Sequence, residues 1–304
     1  DMIDETKILV TGGRGLVGSC VSGKHKPSSA ELDLMDFEAL NNYLHNNKIE
    51  YVVHSAALVG GVKENSEKLG EFFYKNMQMN LNVLEACRIN NIKKVVSLLT
   101  TCIFPAENIK YPLTHDQLHN GPPHESNYGY AHAKRMLEVN SRAYRDQYGM
   151  NIVNIVPCNV YGPRDNFNLQ SSHLVPGLIH KAFIAKQKNE PLKVWGDGSP
   201  LREFIYSEDL GKIIDWALQR YELPEPLIVS SDNETSIKEV AEKIKDIFDL
   251  PGIEYETNMP KGQDRKPSDN SLLKSLLDFP YTSFDEGLKV TVEWFKNNYE
   301  TLRK

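Results

Sequence analysis

The sequence has few cysteines, no long apolar run and no excess of basic residues, and each scarcity excludes a class of protein. Four cysteines occur among 304 residues, and none lies in a CxxC pair or at the spacing of a zinc module. Reduced thiols and no metal site are therefore expected. The cysteines are Cys20, Cys87, Cys102 and Cys158.

Membrane and nucleic-acid binding are both disfavoured by composition. No segment approaches the roughly 20 consecutive apolar residues of a membrane helix. The opening DMIDETKILV lacks the pattern of a signal peptide, so a cytoplasmic location is expected. The 35 basic and 41 acidic residues leave a net charge of -6, which argues against a broad nucleic-acid-binding face. A local basic pocket for a small phosphate ligand remains compatible with this charge.

Apolar strands alternate with helical periods through the first half of the chain. Strands are predicted at 7–11, 51–57, 94–100 and 151–160, and helices at 37–47, 67–91 and 126–148. Continuous apolar strands separated by helices are typical of a parallel sheet covered on both faces. The sequence therefore predicts an α/β fold with a doubly wound parallel sheet.

The second half is more mixed and predicts a smaller α/β lobe. Strands are predicted at 192–195, 202–206, 227–230 and 253–257, and helices at 209–220, 237–248 and 284–299. We expect a nucleotide-binding domain over residues 1–162 and the lobe over 163–304. The boundary is soft, because the chain can cross back between them.

A glycine-rich loop, TGGRGLVG, follows the first predicted strand. Gly12, Gly15 and Gly18 have a GxxGxxG spacing, which predicts a tight turn, close approach of a pyrophosphate and a helix opening behind it. This context indicates a Rossmann-like dinucleotide site, and the alternative is a glycine-rich turn with no ligand. The expected cofactor-binding residues of the loop are Gly12, Gly13, Arg14, Gly15, Leu16, Val17 and Gly18.

The segment after the loop is short, and it bears on the choice of cofactor. A helix and a second strand normally need about 20 residues there, so either the second strand is vestigial or residues are missing between Gly18 and Glu31. Arg14 is suited to the 2′-phosphate of NADP, with Lys24 or Lys26 as helpers. A solvated loop arginine is the alternative.

Tyr130 and Lys134 are four residues apart and share one face of the third predicted helix. A nearby ammonium lowers the pKa of a phenol, which equips Tyr130 to exchange a proton with a carbonyl or alcohol oxygen. The YxxxK pattern is weak alone, but behind a glycine loop it indicates a reductase. Tyr128 competes for this role, although its partner at the same spacing is His132.

Other candidates have ordinary interpretations as well. In LLTTCIFP (98–105), Thr100 and Cys102 are two residues apart, so an ideal strand would point both side chains to the same face. Thr100 also fits a plain strand residue and Cys102 a small apolar filler. His173, just before a helix with Pro176, fits a cap or a surface residue. Arg202 suits a diphosphate, but a surface ion pair is the commoner role.

Taken together, these residues resemble the extended short-chain dehydrogenase/reductase family over nearly the whole chain. Within it, the chain is similar to the epimerase–reductases that act on GDP-4-keto-6-deoxy-D-mannose. The segments that carry the resemblance are SAALVGGVKEN (55–65), TTCIFP (100–105), HNGPPHESNYGYAHAKR (119–135), NVYGPRDNFN (159–168), SSHLVPGLIHK (171–181) and VWGDGSPLREFIYSEDL (194–210).

The resemblance implies a role for each matching residue. The implied catalytic residues are Thr100 (where the family has serine), Cys102 as epimerisation base, His173 as its paired acid, Tyr130 and Lys134. Further cofactor contacts are implied for Asp33, Leu34, Ala56, Ala57, Tyr130, Lys134, Pro157, Cys158, Asn159, Val160 and His173. Contacts to the GDP-sugar are implied for Lys181, Trp195, Arg202 and Asp269.

The implied activity is 3,5-epimerisation of the 4-keto sugar followed by NADPH-dependent reduction at C4, in a homodimer paired through the helices at 67–91 and 126–148. A 4,6-dehydratase is disfavoured, because its Asp-Glu pair is replaced by Thr101 and Cys102. Another nucleotide-sugar epimerase or reductase of this family stays open. A non-catalytic dinucleotide-binding regulator is disfavoured, since such proteins often lack the Tyr or the Lys.

Overall fold

A parallel five-stranded sheet forms the centre of the computed structural model, which describes residues 2–259 and 263–302. The strands lie in the order β1-β2-β3-β4-β8 and all pair in parallel. Their bounds are β1 Ile8–Thr11, β2 Tyr51–His54, β3 Lys94–Leu98, β4 Ile152–Pro157 and β8 Leu227–Val229. The predicted doubly wound parallel sheet is confirmed; β1 ends where it was predicted to end, and the other four strands end earlier.

Helices cover both faces of this sheet. Successive strand residues point to opposite faces, so Leu9 packs with one helical layer and Val10 with the other. The first layer contains α1 (Phe37–Asn46), α3 (Leu69–Ile89) and α4 (Tyr128–Tyr148), and the second contains α6 (Ser207–Arg220) and α8 (Ser271–Leu276). Both faces of the sheet are therefore buried, which explains the continuous apolar strands.

The helix expected directly after the glycine loop is absent from the described chain. Instead, a single 3-10 turn at Gly18–Cys20 leads into a segment that touches the sheet edge through one bridge between Leu9 and His25. Val10 N donates to the carbonyl of His25 at 2.9 Å. The prediction of a helix was wrong, because the segment is too short for one. In this chain the second strand is reduced to that single bridge, and the choice between a vestigial strand and missing residues stays open.

A second group of elements forms the smaller lobe. Two small sheets contain β5 (Asn159–Tyr161), β7 (Leu201–Tyr206) and β9 (Glu234–Ser236), and β6 (Leu192–Trp195) with β10 (Ile253–Glu256). The helices α5 (Leu174–Lys188), α7 (Ile237–Phe248) and α9 (Phe284–Asn297) pack with them in one apolar cluster. Between these elements β8 returns to the large sheet, so the chain does cross back. The boundary at residue 162 stays a prediction.

Some short elements were not anticipated. They include α2 (Val62–Glu67), which a break at Lys68 separates from α3, and also α8 and β9. Helix α5 was implied only by His173 and Pro176, although its sequence held a clear signal. Its buried residues Val175, Leu178, Ile179, Ala182 and Ala185 follow the spacing of one helix face. In the part of the chain that the structure describes, no helix is long and apolar enough to cross a membrane.

Candidate active site

The turn that follows β3 brings Thr100 next to Cys102. The strand ends at Leu98, two residues earlier than predicted, and Thr101–Ile103 forms a 3-10 turn capped by Thr100. The Thr100 hydroxyl accepts from Cys102 N at 3.4 Å and donates to Cys102 Sγ at 3.5 Å. The expectation that both side chains share one strand face was wrong. They meet because the turn folds Cys102 back onto Thr100.

Helix α4 fixes this turn from one side. The Lys134 ammonium donates to the carbonyl of Leu98 at 2.6 Å, and Arg135 Nε donates to the carbonyl of Ile103 at 2.8 Å. Both basic side chains are buried. The helix that carries Tyr130 therefore also sets the position of the turn that carries Cys102. The role of Arg135 was missed, although it adjoins Lys134 in the sequence.

Tyr130 lies buried beside Cys102, and its environment opposes ionisation. Burial, together with the neighbouring Cys102, raises the pKa of Tyr130 well above its ordinary value. The expectation that Lys134 lowers the pKa of this phenol is not met, because desolvation dominates. Tyr130 is consequently a protonated group that can donate to an oxygen at neutral pH.

Two lysines act on the Cys102 thiol. Cys102 is exposed, yet the protein around it raises the pKa of its thiol by desolvation. The Thr100 hydrogen bond and the positive charges of Lys134 and Lys266 oppose this and favour the thiolate. Burial lowers the pKa of Lys134 to about 8. Lys266 was missed by sequence reasoning, and no local pattern marked it.

Lys266 belongs to a segment, 263–270, that is hydrogen-bonded to the loop after Cys102. Gln263 donates to the Ala106 carbonyl at 3.3 Å and accepts from the Tyr111 hydroxyl at 2.9 Å. Leu113 N donates to the Pro267 carbonyl at 2.8 Å. Gln263 and Pro267 flank Lys266 in the sequence, so their contacts fix the Lys266 ammonium, which belongs to the smaller lobe, near Cys102.

His173 precedes α5 and is exposed, and it makes no side-chain bond to cap that helix. Burial of its surroundings lowers the pKa of its imidazole. Its loop approaches the chain after β2, since the Ser171 backbone would lie 3.0 Å from a Cβ built on Gly61. Within the described residues, no hydrogen bond joins His173 to Cys102 or Tyr130. Its role as the paired acid stays a prediction.

The glycine loop is built for close approach at the carboxyl end of β1. Gly12 has φ +63, a left-handed conformation, and a Cβ on Gly18 would collide with the Gly12 carbonyl. A Cβ on Gly15 would meet only the Gly12 carbonyl, at 3.4 Å, so the loop is open there. These residues fit a dinucleotide, with binding through the turn rather than through the start of an α-helix.

A buried polar chain links this loop to helix α4. His54 Nε2 donates to Asn80 Oδ1 and Thr11 Oγ1 donates to His54 Nδ1, both at 2.7 Å, because burial lowers the pKa of His54 to about 4 and leaves it neutral. Asn80 in turn donates to the Ala133 carbonyl at 3.4 Å. His54 therefore holds the loop end of β1 and the catalytic helix in one network.

The other implied cofactor residues occupy different environments. Ala56 N donates to Thr11 Oγ1 at 3.1 Å, which keeps Ala56 and Ala57 beside the glycine loop. Asp33 is exposed, whereas the Leu34 side chain belongs to the core. At the end of β4 and just after it, Pro157 and Cys158 are buried, Val160 is partly buried and Asn159 is exposed.

The implied substrate residues lie in the smaller lobe. Lys181 Nζ stands 5.5 Å from the centre of the Trp195 ring, and the indole is 58% exposed, so both present a ligand-accessible face. Arg202 donates to the Gln263 carbonyl at 2.9 Å and interacts electrostatically with Lys266. Asp269 instead accepts from Ser271 N at 2.8 Å. The structure therefore joins Arg202 to the Lys266 segment and engages the Asp269 carboxylate in a turn with Ser271.

The described part of the chain offers no cluster of side chains that could bind a metal ion. Over residues 2–259 and 263–302, no group of three His, Cys, Asp or Glu side chains could hold an ion.

Known proteins similar to this chain match it over nearly its whole length, and they share one family. Residues 8–229 match the NAD dependent epimerase/dehydratase family. The chain is 42% identical over 312 residues to a GDP-L-fucose synthase from Dictyostelium discoideum, covering 98% of this chain and 97% of the relative. It is 38% identical over 320 residues to a probable GDP-L-fucose synthase from Drosophila melanogaster, covering 98% and 99%. A crystal structure of a GDP-L-fucose synthetase from Naegleria fowleri bound to NADP is 37% identical with a TM-score of 0.92, covering 100% of this chain and 98% of that one.

Proposed function

The chain belongs to the NAD dependent epimerase/dehydratase family, and from this premise we propose that it converts GDP-4-keto-6-deoxy-D-mannose to GDP-L-fucose. The reaction is 3,5-epimerisation followed by NADPH-dependent reduction of the C4 ketone. One observation carries the proposal: Thr100, Cys102, Tyr130 and Lys134 meet at the end of β3, held there by α4. The names of the relatives supply the substrate.

Epimerisation requires a base and an acid on opposite faces of the sugar. The 4-keto group acidifies the protons at C3 and C5, and Cys102 as thiolate removes them while the enolate oxygen is held by donors. Thr100 and the protonated Tyr130 are the donors to O4. His173 returns a proton from the other face, and burial lowers the pKa of its imidazole, which makes the protonated ring a stronger proton donor.

Reduction uses the same oxygen contacts. When bound, NADPH supplies the hydride for C4, and the glycine loop with Lys134 are the residues that would hold it. Tyr130 protonates O4, since burial keeps its phenol protonated. Lys134, whose pKa of about 8 leaves it mostly charged at neutral pH, balances the charge that develops on the phenol.

We further propose that residues 1–162 hold the cofactor and 163–304 the GDP-sugar. Trp195 with Lys181 offers an indole and a cation to the nucleotide, and Arg202 with Lys266 offers positive charge to the diphosphate. Asp269 remains a proposed contact, although its carboxylate caps Ser271.

Product identification tests the activity. The purified protein is incubated with GDP-4-keto-6-deoxy-D-mannose and NADPH, the loss of NADPH absorbance is followed, and the product is identified by NMR. GDP-L-fucose is the expected product. A product with unchanged C3 and C5 configuration would point instead to another reductase of the family. Intact cofactor binding without oxidation would contradict an enzymatic role.

Replacement of Cys102 by serine tests the base. Cys102→Ser is expected to abolish solvent-deuterium incorporation at C3 and C5, because a serine hydroxyl ionises far less readily than a thiol and so supplies no anionic base near neutral pH. NADP affinity should stay near that of the unmodified protein. Cys87→Ala, at a buried thiol of α3, is the matched control and should keep exchange. Unchanged exchange in Cys102→Ser would refute the assignment.

We also propose a homodimer formed through α3 and α4. Exposed apolar side chains lie on both helices, namely Phe73, Tyr74, Leu81 and Ile89 on α3 and Tyr128 and Tyr148 on α4. Tyr74→Lys with Leu81→Lys should convert a dimer mass to a monomer mass in light scattering. A monomer mass for the unmodified chain would contradict the dimer.

A cytoplasmic location is likewise a proposal. It is supported by the four cysteines, all in the described part of the chain and all free thiols. Imaging of a fluorescent fusion tests it, and accumulation in a secretory compartment would contradict it.

A further inference from the structure

The adenosine half of a dinucleotide is expected to lie beside residues 11–36. This segment contains one arginine and two lysines, and all three have partners. We call Arg14, Lys24, Lys26 and Glu31 the adenosine end. Arg14 Nη2 stands 2.5 Å from Glu31 Oε1, and Arg14 Nε donates to the Lys26 carbonyl at 3.3 Å. The guanidinium expected to bind a 2′-phosphate is therefore already paired with a carboxylate.

The two lysines offer little replacement for Arg14. Lys24 pairs with Glu5 at 3.4 Å. Lys26 Nζ donates to the Val21 carbonyl at 2.5 Å and to the Ser19 carbonyl at 3.2 Å, and burial lowers its pKa. The Lys26 ammonium is consequently committed to the loop and that of Lys24 to Glu5, which leaves Arg14, with its partner Glu31, as the cation to meet a phosphate.

Glu31 is fixed in place by its own turn. Ser28 N donates to Glu31 Oε1 at 3.1 Å, and Glu31 N donates to Ser28 Oγ at 3.2 Å, a reciprocal arrangement like that of a capping box. The Ser28 bonds, followed by the Arg14 charge, lower the pKa of Glu31, so it stays ionised at neutral pH. Its carboxylate is exposed and ionised, so it can accept a hydrogen bond from a ribose 2′-hydroxyl.

Resting on the proposed function, we propose that Glu31 sets the cofactor preference of this chain. Its carboxylate neutralises Arg14 and repels the 2′-phosphate of NADP, while it accepts a hydrogen bond from the 2′-hydroxyl of NAD. The difference in affinity between NADP and NAD is therefore small, because the Glu31 carboxylate weakens NADP binding and strengthens NAD binding.

Direct binding measurements on the full chain test this. NADP+ and NAD+ are titrated by calorimetry into the unmodified protein, Glu31→Gln and the control Glu5→Gln, which neutralises the other exposed acid beside the loop. Glutamine at position 31 can still accept from Ser28 N, so the turn is kept and the charge is lost. The ratio of the NADP+ to the NAD+ dissociation constant should fall about threefold to tenfold in Glu31→Gln alone.

A double-mutant cycle separates repulsion from positioning. Arg14→Gln should weaken NADP+ binding more in the Glu31→Gln background than in the unmodified chain, because Arg14 is then free to meet the phosphate. An unchanged ratio in Glu31→Gln, or weaker NADP+ binding, would overturn the inference while leaving the proposed function intact. An unmodified chain that binds neither cofactor would overturn both.

Discussion

Two polar regions of this molecule differ in how they hold charge. At the catalytic edge, which we define as Thr100, Cys102, Tyr130 and Lys134, the groups lie in or beside the protein interior and burial governs their pKa values. At the adenosine end, the Arg14 and Glu31 side chains are 61% and 57% exposed, and opposite charges pair in water. Burial therefore governs the titratable groups of one region, and pairing of opposite charges governs those of the other.

The difference follows from solvent screening. Desolvation at the catalytic edge lowers the pKa of Lys134 and raises that of Tyr130, which suits proton transfer. An exposed pair such as Arg14 with Glu31 contributes little to stability. It does affect how strongly a negatively charged ligand group binds beside it. Buried groups therefore set the chemistry, and exposed groups set the choice of cofactor.

The largest expected effect is the loss of the Tyr130 hydroxyl. Tyr130→Phe keeps the buried ring and removes the proton donor, so the rate of NADPH oxidation should fall about 10²-fold to 10⁴-fold. Tyr128→Phe, at a half-exposed tyrosine in the same turn of α4, is the control and should retain its rate. If both variants lost the same share of the NADPH oxidation rate, the buried Tyr130 would have no special role as proton donor.

A smaller effect is expected in the pH dependence of folding. The pKa of His54 is about 4 in the fold against an ordinary 6.5, so its contribution is full above pH 6.5 and is lost as the pH falls toward 4. This amounts to about 2 kcal/mol between neutral pH and pH 5. Urea unfolding should therefore depend less on pH in His54→Gln.

Two exposed positions serve as controls for the pH dependence of unfolding. His45→Gln, at an exposed position of α1, should leave the pH dependence unchanged. Glu31→Gln should do so too, since the pKa of Glu31 is lowered and its contribution is lost only below its ordinary range. A shallower slope in either control would show that His54 is not the group that titrates.

The smallest effect concerns Lys266, an exposed cation that acts on a thiol in the cleft. Lys266→Gln removes a charge that favours the Cys102 thiolate and so raises the pKa of that thiol. Alkylation of Cys102 at neutral pH, followed by peptide mass mapping, should slow about twofold. Arg265→Gln, whose partner is Glu234, should leave the rate unchanged. A rate unaffected by Lys266→Gln would remove this lysine from the site.

Much of the fold and part of the site could be predicted from the chain alone. The strands of the large sheet and the helix carrying Tyr130 and Lys134 had strong local patterns, and the structure places them as expected. The helix after the glycine loop was predicted wrongly, because the motif signals a turn while the chain behind it is too short to continue. The proximity of Thr100 to Cys102 was predicted for the wrong reason, since a 3-10 turn brings them together.

What the sequence determined by itself is therefore local: apolar periodicity specified the sheet and its helices, and the glycine, tyrosine and lysine spacings specified where chemistry belongs. Tertiary structure alone decided the partners. Glu31 reaches Arg14 and Lys266 acts on Cys102 across long separations in the chain, and neither pairing leaves a local pattern. The physical reason is that burial and charge pairing depend on neighbours in space, whereas periodicity depends only on neighbours in the chain.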